Sequence, residues 1–201
     1  KIFISTPFSR KAVDRLEKFK VPAYKIGSGE CNNYLLVEYV ASKKKPIILS
    51  TGMNSVKTIK PATKILEKYK TPYALLHCTN IYPTPAKLVR LDDIITLQKN
   101  FPKAVIGLSD HTSDIYSALA SVALGASIIE KHYVDSKKFK GPDISASMDK
   151  DELKKLIFGS KKIFQAKGSN KKNPVKEEQK TIDFAFASAA ATKNIKIGEK
   201  L

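Results

Sequence analysis

The sequence predicts an α/β protein: a (β/α)8 barrel missing two strands, followed by the start of a smaller module. Three observations carry that prediction. Short apolar runs alternate with amphipathic helical segments at intervals of about 20 to 30 residues, the pattern of parallel βα repeats. Every run ends in small polar or charged residues, and a barrel gathers all its strand ends around one pocket, whereas an open sheet uses those near its switch point. No Gly-x-Gly-x-x-Gly turn follows the first run, as a dinucleotide-binding sheet would require.

Ile2–Ser5 reads as the first strand and ends in Thr6-Pro7-Phe8. Ser9 then caps a helix carrying Ala12, Val13, Leu16 and Phe19. Ala23–Ile26 is the second strand and runs into Gly27-Ser28-Gly29-Glu30, where strand parity puts Glu30 on the side of Ser28. Asn33 starts a helix whose inner face is Leu36, Val37 and Val40. Pro46–Leu49 is the third strand, ending in Ser50-Thr51-Gly52; Pro61 delays or kinks the helix that follows towards Tyr69. The fourth strand, Tyr73–His77, leads into Cys78-Thr79-Asn80-Ile81-Tyr82-Pro83. Leu91, Ile94, Ile95 and Leu97 make a helix face before the fifth strand, Ala104–Leu108, which ends in Ser109, Asp110 and His111. A helix with apolar Ile115, Ala118, Leu119, Val122 and Ala123 at three- and four-residue spacing stops at Gly125, and the sixth strand, Ser127–Glu130, leads to Lys131 and His132. Beyond the turn Gly141-Pro142-Asp143, Asp149 and Glu152 have capping-box spacing ahead of a helix that Gly168 closes.

These elements divide the chain into a partial barrel over 1–167, a polar linker over 168–182 and the beginning of another module over 183–201. The chain opens on Lys1 inside a strand-like run and stops at Leu201 in mid-pattern, so it is read as an internal piece of something longer. An apolar fraction of 42% suits a folded soluble domain, and no run is long enough to span a bilayer. Two cysteines, Cys31 and Cys78, are too few for a disulfide framework; they read as free thiols packed as small hydrophobes in a reducing, cytoplasmic setting. The net charge of +17 is spread over lysines at helix ends and linkers, without an aromatic-interleaved stripe, so no nucleic-acid partner is expected.

The candidate chemistry lies at the strand ends. His111 and His132 end adjacent strands, which makes them half of a divalent-metal site or a pair of buried, backbone-satisfied imidazoles. Thr6, Ser28, Ser50, Asn80 and Ser109, with exposed backbone N–H groups at Gly27, Gly29 and Gly52, suit a phosphate or phosphorylated acid. Lys25 sits in an otherwise apolar strand, where an unpaired ammonium is costly; it neutralises an anion or forms a Schiff base with a carbonyl substrate. Glu30 is an acid/base or an ion-pair partner. His77, before its strand end, reads as structural.

The strings STPF, AYKIGSGE, ILSTGM, LLHCTNIYPTP, GLSDH, IIEKH and GPD, in this order and spacing, resemble the sialic acid synthases over essentially the whole chain. GECNNY and the closing DFAFASAAATKNIKIGEKL are most similar to the bacterial N-acetylneuraminate synthases, and the latter to the start of their C-terminal antifreeze-like (SAF) domain. The resemblance implies a barrel enzyme, a transferase that condenses phosphoenolpyruvate with N-acetylmannosamine and releases phosphate by C–O cleavage, with Mn²⁺, Mg²⁺ or Co²⁺. It implies His111 and His132 as metal ligands and Thr6, Lys25, Ser28, Ser50, Asn80 and Ser109 around phosphoenolpyruvate. Tyr82 and Asp143 would contact the open-chain sugar, and Glu30 would orient or deprotonate water. It also implies a homodimer that exchanges its C-terminal modules. The first two strands and most of the antifreeze-like domain are missing, so these residues alone are expected to be unstable or inactive. Within the family the acceptor could instead be a legionaminic or pseudaminic acid precursor or a phosphorylated mannosamine. Outside it, the rivals are a Schiff-base aldolase using Lys25 and a basic binding protein.

Overall fold

The computed structural model describes residues 1–168 and 172–200; residues 169–171 of the expected linker, and Leu201, lie outside them. The chain divides into two units, Lys1–Lys167 and Gly168–Leu201. The first is built on five strands, β1 (Tyr24–Ile26), β2 (Ile47–Ser50), β3 (Tyr73–Cys78), β4 (Val105–Asp110) and β5 (Ile128–Lys131), adjacent in sequence order and all parallel. Helices α1 (Arg10–Lys18), α2 (Tyr34–Ala41), α3 (Val56–Lys68), α4 (Asp93–Asn100) and α5 (Tyr116–Ala123) alternate with them, and α6 (Lys150–Lys167) follows. This is the βα alternation expected.

The first expected strand, Ile2–Ser5, does not form. Only Ser5 pairs with Tyr24, through Lys25 N–H donating to Ser5 O at 3.1 Å. Continuing that register backwards sets Ile2–Ile4 beside Val21–Ala23, where the chain is still leaving α1 with Lys20 at φ 53° and where Pro22 has no N–H to donate. Ile2 and Phe3 remain exposed.

Strand alternation sorts the side chains cleanly. Tyr24, Ile26, Ile47, Leu49, Leu75, Ile106 and Leu108 face the helices and are buried with Val13, Leu16, Val37, Val40, Ile59, Leu66 and Ile94 in one apolar core. Full burial of each large side chain is worth about 1.5–3 kcal/mol, so this layer fixes the register. The opposite parity, Lys25, Ser50, Cys78, Ser109 and Glu130, lines a cavity. A smaller cluster of Ala118, Met148 and Leu156 ties α5 to α6.

Helix ends follow the local chemistry. Ala12 N–H donates to Ser9 Oγ at 3.2 Å and Leu36 N–H to Asn33 Oδ1 at 3.2 Å. Asp149 Oδ1 accepts from Glu152 N–H while Asp149 N–H donates back to Glu152 Oε2, each at 3.0 Å, closing the expected box. Gly125, at φ 96°, ends α5 as only glycine does comfortably. Pro61 lies inside α3 rather than delaying it. Only one ladder bond is forgone, near the helix start, and the buried Ile59, Ala62 and Leu66 around it hold the helix in place.

In the second unit, Val175 N–H donates to Glu178 Oε2 at 2.7 Å ahead of a short helix α7 (Gln179–Ala185). That helix runs across the position where the linker was expected to give way to the next module.

Candidate active site at the strand ends

Each strand delivers one or two polar groups to a cavity of about 580 Å³ at its carboxyl end. Thr6, Lys25, Ser28, Ser50, Asn80, Tyr82, Ser109, His111 and His132 all line it. Strand parity brings Lys25, Ser50, Ser109, His111 and His132 to one face, the parallel register stacks them, and the 3-10 turn after β1 adds Ser28.

Lys25 Nζ donates to Ser50 Oγ at 2.7 Å and to Ile26 O at 3.2 Å, and lies 3.4 Å from Glu130 Oε2. Ser109 Oγ donates to Glu130 Oε1 at 3.0 Å. Opposite, Gly52 N–H donates to Ser28 Oγ at 3.0 Å. A Cβ at position 52 would sit 1.9 Å from Asn80 Oδ1 and 3.0 Å from Ser28 Oγ, so the approach of these two loops requires glycine. Cys78 lies beneath, its Sγ 3.0 Å from Asn80 Oδ1 and 3.7 Å from His111 Nδ1; burial holds its thiol above the usual range.

The imidazoles of His111 and His132 have centroids 5.4 Å apart, and the Tyr82 ring lies 4.1 Å from the first and 5.7 Å from the second. His111 Nδ1 is 3.0 Å from Thr79 O, so it carries the proton and leaves Nε2 with a free lone pair. Burial, reinforced by His132, holds the His111 pKa below 6.5 against the Thr79 carbonyl, which keeps the ring neutral near pH 7. Among the described residues no group of three His, Cys, Asp or Glu side chains forms a metal cage. Two imidazoles this close, with the tautomer of His111 anchored by the backbone, still fit a cation whose other positions are left for substrate and water.

Two expected site residues fall outside the cavity wall. Glu30 belongs to a 3-10 turn, Ser28–Glu30, not to a strand, so strand parity does not apply to it; its Oε2 accepts from Asn33 Nδ2 at 2.7 Å at the start of α2. Asp143, at φ 63°, places Oδ2 4.0 Å from His132 Nδ1, beside the imidazole and off the wall. His77 faces the helices, buried, with Nε2 2.6 Å from Val89 O, the structural place expected of it.

Sequence reasoning missed three features. Glu130 was legible by parity, two residues before His132. Asp110 and Lys131 form an ion pair at 2.8 Å with both side chains 1% exposed, behind the two histidines. Its signal, opposite charges facing each other on adjacent strands, needs a register that the sequence does not print. The role of Gly52 as contact point for Asn80 is tertiary altogether.

A model of the NeuB family matches residues 2–172. The N,N'-diacetyllegionaminic acid synthase of Campylobacter jejuni is 42% identical over 98% of this chain and 60% of its own length. The N-acetylneuraminate-9-phosphate synthase of Homo sapiens is 36% identical over 83% of this chain and 46% of its own length. The chain thus spans about half of these relatives. The crystal structure of N-acetylneuraminic acid synthetase from Leptospira borgpetersenii, in complex with citrate, superposes with a TM-score of 0.86 at 36% identity, over 91% of this chain and 64% of that one.

Proposed function

The chain belongs to the NeuB family, and on that premise we propose that it carries the phosphoenolpyruvate and metal side of a nonulosonic acid synthase. The reaction joins phosphoenolpyruvate to N-acetylmannosamine or a closely related acetamido sugar and releases phosphate by C–O cleavage. The supporting observation is the convergence of Lys25, Ser50, Ser109 and the Gly52-bound Ser28 in the same cavity as the imidazoles of His111 and His132.

Lys25, Thr6, Ser28, Ser50, Asn80 and Ser109 bind the phosphate and carboxylate and hold the enol against the sugar aldehyde. Lys25 compensates the charge that builds on the departing phosphate. His111 and His132 would hold the cation, Mn²⁺ or a similar divalent ion, through ring nitrogens. When bound, that ion supplies Lewis acidity towards the aldehyde oxygen. Tyr82 presents a flat apolar face to the open-chain sugar, and Asp143 steadies His132 from the rim. Glu130 is the carboxylate in place to orient the water that adds at C2, with Glu30 standing outside the wall. In the whole protein, residues beyond 183 begin an antifreeze-like module that a homodimer exchanges. Among the described residues no helix is long and apolar enough to cross a membrane, and the enzyme works in the cytoplasm.

The test uses the protein with all the sequence its gene encodes. Phosphate release is followed with phosphoenolpyruvate, N-acetylmannosamine and Mn²⁺, alongside a chelator control, His111→Ala and other acetamido-sugar acceptors. Release that needs metal, sugar and His111 is expected. Metal-independent turnover, or a borohydride-trapped adduct on Lys25, would replace the reading with a Schiff-base aldolase.

A further inference from the structure

The ion pair Asp110–Lys131 is the last cross-link between β4 and β5. The ladder ends with Asp110 opposite Lys131, and His111 and His132 are the first residues beyond each strand. No further main-chain pairing between the strands holds the two imidazoles in register.

The side chains take over where the ladder stops. Lys131 Nζ donates to Asp110 Oδ2 at 2.8 Å and to Thr112 O at 2.7 Å. Asp110 in turn accepts from Thr112 N–H and Thr112 Oγ1, each at 3.0 Å. The pair therefore grips the chain on both sides of His111 and joins it to the residue before His132. Burial of two charges this complete is poor evidence of a stability role, since desolvation offsets most of the attraction and apolar pairs pack as well. What an apolar pair would lack is direction: it would not fix the backbone of Thr112 or the strand separation.

We propose that Asp110 and Lys131 are positioning residues, a buried clamp that sets the distance and orientation of the His111 and His132 imidazoles for a shared cation. This rests on the metal reading above only for its ligand; the clamp itself is a claim about the imidazoles.

The experiment compares the chain with Asp110→Asn/Lys131→Met, which removes both charges and leaves neither one buried and unpaired. In metal-free protein with ¹⁵N-labelled histidine, the wild type should show His111 as a single tautomer with a slowly exchanging Nδ1 proton. The double variant should mix tautomers and exchange that proton at least tenfold faster. Mn²⁺ affinity, read from the free-ion electron paramagnetic resonance signal, should fall tenfold or more, while inorganic phosphate affinity, which reports on Lys25 and Ser50, stays within twofold. A folded double variant with both imidazole signals and Mn²⁺ affinity unchanged overturns the proposal. Should that variant not fold, Thr112→Val removes the bridging hydroxyl without altering charge. About a threefold change in the same directions supports the clamp, and no change overturns it. If the wild type binds no Mn²⁺ yet the imidazole signals shift in the variant, the clamp stands and the metal reading fails.

Discussion

Lys25 and Glu130 meet across the cavity floor, Nζ 3.4 Å from Oε2, although they sit on β1 and β5, the two outermost strands of the sheet. In a flat sheet four strand spacings would hold their backbones about 19 Å apart, beyond the reach of both side chains. The contact exists because the sheet curls on itself as a barrel wall does. The carboxylate thus engages the same donors, Lys25 and Ser109, that would suit a bound acid.

Replacing Glu130 with Gln should free Lys25 and remove a like charge from the path of an anion. Phosphoenolpyruvate affinity without metal, measured by calorimetry, should rise on the order of threefold to tenfold, equivalent to roughly 0.7 to 1.4 kcal/mol. Lys25→Met should lose about tenfold or more through the missing charge-assisted bond. Weaker binding in the glutamine variant would show that Glu130 builds the anion site and does not compete for it.

Gly52→Ala should disturb the site and the fold together. The new methyl would displace Asn80 and press on Ser28, so a loss of about 1–3 kcal/mol is expected in urea unfolding. A weakened phosphate site should accompany it. An alanine variant as stable and as tight as the parent would mean that the two loops part at no cost.

His77 makes stability depend on pH. Burial lowers its pKa below 6.5 in the folded chain, against the Val89 carbonyl that favours the proton. The unfolded chain therefore binds the proton more readily, so the contribution is intact above about pH 6.5 and shrinks as pH falls below it. Urea midpoints should drop between pH 7 and 5, and His77→Gln, less stable at pH 7, should show a shallower drop. An equal slope in both proteins would assign the effect elsewhere, with His111 next in line.

Neither cysteine should react readily in the native state. Both are buried; burial pushes the Cys31 thiol up to about 12 and raises that of Cys78. Iodoacetamide at pH 8 should label the chain slowly until guanidinium unfolds it. Fast native labelling at Cys78 would show that the cavity floor opens.

The alternation of apolar runs with helical segments, and the polar group ending each run, were enough to place Lys25, Ser50, Ser109, His111 and His132 on one side of a parallel sheet, because side-chain parity along a strand is a local property. The caps at Ser9, Asn33 and Asp149 were legible for the same reason: each is settled within four residues. Glu30 departs from the expected parity where the backbone leaves the strand for a 3-10 turn, a change of conformation that apolar spacing does not signal. The pairing of Lys25 with Glu130, of Asp110 with Lys131, and the closeness of Gly52 to Asn80 were decided only by tertiary structure. Each depends on register and curvature, which are set by how the whole helix-facing layer packs and not by the residues that meet.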